Sequence, residues 1–98
     1  MKLPKYQNLD MEKNKILSAN KGKSGIYMFK NLINNKRYIG SSENLSRRFS
    51  EYFNVNHLLS KKSMAICCAL LKHDHSNFSL EILEYFSISE LLIREKYY

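Results

Sequence analysis

Hydrophobic and polar positions fall into a regular order from Ser24 onward. Ile26, Tyr27, Met28 and Phe29 form an apolar run, Asn34-Asn35 supplies residues that tolerate positive φ, and Lys36 to Gly40 leads back. That pattern predicts a β-hairpin with one tyrosine on each arm, Tyr27 and Tyr38, and a glycine at each outer end, Gly25 and Gly40. If the turn closes on two or four residues centred on Asn34-Asn35, paired residue numbers sum to 69. Tyr27 then faces position 42, Tyr38 faces Asn31, and the two phenols share a sheet face. A three-residue loop would break that parity.

Ser42-Glu43-Asn44 follows as an N-cap, ahead of Leu45, Phe49, Tyr52 and Phe53 at helical spacing. Arg48 and Tyr52 share one face of this helix, and Arg47 with Glu51 forms a separate i,i+4 pair. Met64 to Lys72 reads as a second, buried helix, although so short a run also fits a strand. His73 to Asn77 is the connection after it, and Phe78 to Phe86 alternates as a third strand. Ser87-Ile88-Ser89-Glu90 fits a capping box that opens a last helix, with Leu91, Leu92 and Tyr98 on its inner face.

Residues 1–23 contain Pro4 and scattered lysines with little periodicity, and read as a basic arm ahead of a domain spanning 24–98. The expected architecture is α+β: a small three-stranded antiparallel sheet flanked by helices, in the order β-β-α-α-β-α, its last helix cut short at Tyr98.

The formal net charge of +7 is unevenly placed. Residues 1 to 40 hold nine Lys or Arg against Asp10 and Glu12, which is the entire excess; the remainder is balanced. Such a basic face suits a polyanion, because each neutralised phosphate releases counterions, and it equally suits a solvated lysine-rich surface. The longest apolar run, Met64 to Leu71, is far shorter than the ~20 residues of a membrane span, so no membrane partner is expected. The N-terminus lacks the apolar core of a secretory signal, and its acidic residues argue against an imported transit peptide. Frequent Asn, Lys, Ile, Tyr and Phe, all served by AT-rich codons, hint at an AT-biased genome such as a mitochondrial one. Cys67 and Cys68 are adjacent, pointing about 100° apart on a helix, and so read as reduced core residues and not as zinc ligands.

The candidate chemistry lies in phenols, guanidinium groups and a carboxylate. Phosphodiester hydrolysis needs an activated water, charge on the non-bridging oxygens and support for the leaving oxygen. A free phenol, with a pKa of ~10, serves as a base only where neighbouring charge favours proton loss.

The strings Gly25-Ile26-Tyr27 and Tyr38-Ile39-Gly40, then Ser41 to Phe49, then Arg94-Glu95-Lys96-Tyr97-Tyr98, occur in an order that resembles the GIY-YIG nuclease family over residues 24–98. The wording of Ser63 to Ile66 and of Phe78 to Glu84 looks most like the intron-encoded homing endonucleases of fungal mitochondria. The resemblance implies a metal-dependent endonuclease acting on double-stranded DNA, made inside the mitochondrion and working as a monomer. The alternative it leaves is a catalytically inactive, nucleic-acid-binding remnant.

By that resemblance Tyr27 is the general base or water-orienting phenol, and Tyr38 helps hold the water or metal shell. Arg48 neutralises the phosphorane charge, and Tyr52 occupies a position that is His or Tyr across the family. Glu95 holds the cation, Mg²⁺ or another divalent ion such as Mn²⁺. Lys36, Arg37, Arg47, Lys61 and Lys62 are the candidate DNA contacts. Three departures stand out: the chain ends three residues after Glu95, the family's separate DNA-binding region is missing, and Asp74 stands where related sequences commonly carry Gly.

Overall fold

The computed structural model describes residues 3–86. Its elements are β1 (Lys5–Tyr6), α1 (Lys13–Ala19), β2 (Ser24–Asn31), β3 (Arg37–Ser42), α2 (Leu45–Phe53), α3 (Val55–Ser60), α4 (Ala65–His73), a 3₁₀ turn (His75–Asn77) and β4 (Phe78–Phe86). The sheet has four strands, not three, in the order β1-β4-β2-β3 with antiparallel neighbours throughout. No described helix is long and apolar enough to cross a membrane. The expected capping box at Ser87 to Glu90 and the helix after it lie outside the described residues.

The extra strand comes from the segment read as an arm. Tyr6, Leu9 and Ile16 are buried in the common core, and the Leu9 and Ile82 amides donate to the carbonyls of Phe78 and Pro4. A buried polar knot closes the join. The Asn20 amide donates to the Tyr6 hydroxyl (3.3 Å) and the Ile16 carbonyl (2.8 Å), while its carbonyl accepts from the Tyr85 hydroxyl (2.8 Å). These residues were missed because a two-residue strand and a seven-residue helix are too short to display a period.

The hairpin forms with a register two residues from the expected one. Paired numbers sum to 67, so Tyr27 lies opposite Gly40 and Phe29 opposite Tyr38. Asn31 closes a loop of residues 32–35: its amide donates to the Lys36 carbonyl, its side chain accepts from the Ile33 amide, and Asn35 takes φ +63°. The loop is therefore one residue earlier on each arm than a turn centred on Asn34-Asn35. An even shift preserves side-chain parity, so Tyr27 and Tyr38 still share a face.

Asn44 caps α2 by accepting from the Arg47 amide at 3.1 Å, and Leu45, Phe49 and Tyr52 turn inward. Asn54 then caps α3 through the amides of Asn56 and His57. This helix was not anticipated; only Leu58 among its residues is buried, so it carries almost no apolar signal. The ambiguous apolar run is helix α4, with Cys67 buried and Cys68 exposed, contrary to the reading of both as core residues. Its C-cap, Asp74, adopts φ +70°. Edge-to-face contacts among Tyr27, Phe29, Phe49 and Tyr52 lock α2 onto the sheet.

Candidate active site

Tyr27 stands mid-strand in β2 with its ring buried, and its hydroxyl shares a 3.2 Å hydrogen bond with that of Tyr52 on α2. The two outer glycines make room for this arrangement in different ways. A Cβ on Gly40 would lie 2.6 Å from the Tyr27 hydroxyl oxygen and 2.8 Å from Cζ, so the phenol lies directly over that glycine. A Cβ on Gly25 would run into the backbone carbonyl of Glu84, where β4 approaches through a shift in register. Each glycine thus admits a close approach: a side chain at Gly40, a backbone at Gly25.

Tyr27, Tyr38, Gly40, Arg48 and Tyr52 line one cleft of about 190 Å³, with Met64 and Ile66 forming a further wall. The structure thus gathers four of the five candidate catalytic residues; the fifth, Glu95, lies outside the described residues. Arg48 is partly exposed, and its Nε is buried with no hydrogen-bond partner among the described residues. The Glu51 carboxylate stands 3.7 Å from that nitrogen, too far for a good hydrogen bond. Glu51 therefore neighbours Arg48 and not Arg47 as expected. One turn of helix at i,i+3 serves that contact as well as i,i+4 would.

Burial pushes the Tyr27 phenol well above its ordinary value, the neighbouring Tyr52 adds to this, and Arg48 opposes it only in part. The phenol is accordingly protonated at neutral pH, which suits orientation of a neighbour better than proton abstraction. Burial also raises the Cys67 thiol, against a lowering from Arg48 and Lys61. His75, read from the sequence only as part of the connection after the second helix, has a structural role. Its Nε2 lies 2.7 Å from the Tyr52 carbonyl oxygen and its ring stacks on Phe53, fixing the end of α2 beneath the cleft. No sequence signal links positions 23 residues apart.

Among the described residues no three His, Cys, Asp or Glu side chains converge as a metal site. Among the described residues the cleft lining offers phenols, the Ser41 hydroxyl and a guanidinium but no carboxylate, a donor set that suits a phosphate. Of the basic candidates, Lys36 is exposed at the hairpin end, Arg47 is exposed on α2, and Lys61 and Lys62 are exposed in the connection leading to Met64. Arg37 points to the sheet face opposite the cleft, as the alternation with Tyr38 requires.

Residues 23–98 match the GIY-YIG catalytic domain. The chain belongs to this family. The GIY-YIG glycine-tyrosine strings are thus the paired positions Tyr27 and Gly40 seen in the hairpin. The chain is 39% identical over 77 residues to a probable intron-encoded endonuclease 1 of Neurospora crassa; the match takes in 78% of this chain and 24% of that protein. It therefore spans about a quarter of the length of that curated relative. The fold is similar to the catalytic domain of the homing endonuclease I-TevI, with TM-score 0.60 and 30% identity, over 76% of this chain and 83% of that one. A mutant of the I-TevI catalytic domain matches at TM-score 0.57 and 32% identity, over 76% and 75% of the two chains. Sequence and fold are those of a GIY-YIG nuclease catalytic domain.

Proposed function

We propose that this chain is the catalytic module of a mitochondrial intron-encoded homing endonuclease, which hydrolyses phosphodiester bonds in double-stranded DNA as a monomer with Mg²⁺ or Mn²⁺. The observation that carries this reading is the convergence of Tyr27, Tyr38, Arg48 and Tyr52 on one cleft. Arg48 is permanently charged and lines the cleft, so its guanidinium binds the non-bridging oxygens of the scissile phosphate and stabilises the charge that grows as water attacks. Tyr27 holds the Tyr52 hydroxyl in place, and Tyr38 and Tyr52 orient the attacking water. The water oxygen forms the new bond to phosphorus while the bond to the departing sugar oxygen breaks, and the proton released by the water passes to solvent. A divalent ion held by Glu95 would supply positive charge at the phosphate, favouring water ionisation and departure of the sugar oxygen.

The test is nicking of supercoiled plasmid in Mg²⁺ or Mn²⁺. Arg48→Ala and Glu95→Ala should each lose at least about 100-fold in rate, the usual scale for removing one stabiliser of transition-state charge, while DNA affinity largely survives. Cleavage at the parental rate in both variants would remove the mechanism.

A further inference from the structure

The sheet has a second face. Tyr27, Phe29, Leu80 and Ile82 point into the core under the helices, so the alternate residues of the same strands point the other way. At the hairpin end this reverse face carries Lys30 and Arg37 directly opposite each other across β2 and β3, with Ser79 beside Lys30 on β4. One row further, Lys5 on β1 faces Glu81, which in turn faces Met28. These six residues line a shallow groove of about 170 Å³, separate from the cleft.

Like charges directly opposite on a sheet are destabilising, so the pairing of Lys30 with Arg37 is not a device for stability. Among the described residues neither they nor Lys5 has an acidic partner within ion-pairing distance. Three cations surround a single carboxylate, Glu81, which leaves the corner strongly positive. With strands about 4.8 Å apart, the cations spread over roughly 14 Å from β1 to β3. A nucleic-acid strand carries about four phosphates over that axial length. The edge strand β3 belongs to both surfaces: its Tyr38 and Gly40 line the cleft and its Arg37 the groove.

We propose that this reverse face is a second, non-catalytic contact surface for the phosphate backbone of the DNA flanking the scissile site, with Lys5, Lys30 and Arg37 as the contacts. The choice of DNA as the polyanion rests on the function proposed above. The backbone passes over the edge of β3, so that one duplex meets the cleft on one side and the basic groove on the other.

The test is the salt dependence of binding to a duplex of arbitrary sequence, measured by fluorescence anisotropy in EDTA so that no cleavage intervenes. The triple variant Lys5→Gln/Lys30→Gln/Arg37→Gln should lower the slope of log K against log salt by about 2.7, from three phosphates at about 0.9 each. A charge-matched control, Lys15→Gln/Lys21→Gln/Lys72→Gln, should lower it by less than about 1. Should the triple variant fail to fold, Lys30→Gln alone should lower the slope by about 0.9.

An unchanged slope, or a fall equalled by the control, overturns the inference while leaving the endonuclease reading intact. Loss of binding to polyglutamate or to phosphatidylserine vesicles with an unchanged DNA slope also overturns it. A slope that falls as expected in a protein that never cleaves supports the inference and removes the endonuclease reading. A parent chain that binds no duplex overturns both.

Discussion

Replacing Gly40 by Ala tests the central packing relation of the site. The new Cβ would lie 2.6 Å from the Tyr27 hydroxyl oxygen, 2.8 Å from Cζ and 3.1 Å from Cε2, so contact demands a displacement of nearly 1 Å, roughly the scale of an overpacked core. Tyr27 has little room to retreat. Its ring is held edge-to-face at 5.5 Å from Phe29 and 5.1 Å from Phe49, and its hydroxyl is tied to Tyr52.

Overpacking of this kind costs about 1–3 kcal/mol, and losing the Tyr27–Tyr52 hydrogen bond about 1 kcal/mol more. Ala recovers about 0.5–1 kcal/mol through the unfolded state, since Gly40 does not adopt positive φ. The expected net loss is about 2 kcal/mol, seen as a fall of roughly 10 °C in Tm for a domain of this size. The assay is urea and thermal unfolding of Gly40→Ala, Tyr27→Phe and the double variant. Removing the hydroxyl deletes the closest clashing atom, so Gly40→Ala should cost at least about 1 kcal/mol less in the Tyr27→Phe background. A neutral Gly40→Ala, or an equal cost in both backgrounds, would refute the reasoning.

Stability should also fall in alkali. The folded Tyr27 phenol ionises above its ordinary value of 10.0, so its contribution is intact below that pH and is lost as pH rises through the folded value. Tyr85 is shifted in the same direction by burial, so part of the decline should survive in Tyr27→Phe. A urea midpoint as flat above pH ~10 in the parent as in that variant would contradict the assignment. Asp74 at φ +70° and ψ 149° occupies a region suited to glycine. Asp74→Gly should therefore stabilise by about 1 kcal/mol, less whatever its contact with the His75 amide contributes, and a lower Tm would count against backbone strain there.

Much of the site was legible because its residues sit in regular elements with strong local signals. The N-cap at Asn44 and the inward residues Leu45, Phe49 and Tyr52 fix how α2 rolls onto the sheet, and Arg48 follows from its place on that helix. The hairpin could be read to within an even slip, so the shared face of Tyr27 and Tyr38 survived an error in register. The N-terminal segment was not legible, since Tyr6, Leu9, Ile16 and Asn20 acquire meaning only against β4 and Tyr85, some 65 residues away.

By itself the sequence determined the hairpin strands, α2 and β4, the paired tyrosines and the glycines beside them, because side-chain period and turn chemistry act over a few residues. Only the tertiary structure decided that Gly40 accommodates the Tyr27 phenol, that burial keeps this phenol protonated, and that Arg48 lines the same cleft. Those properties depend on the distance and solvent exclusion between α2 and the sheet, quantities set by packing across the whole domain and absent from any local pattern.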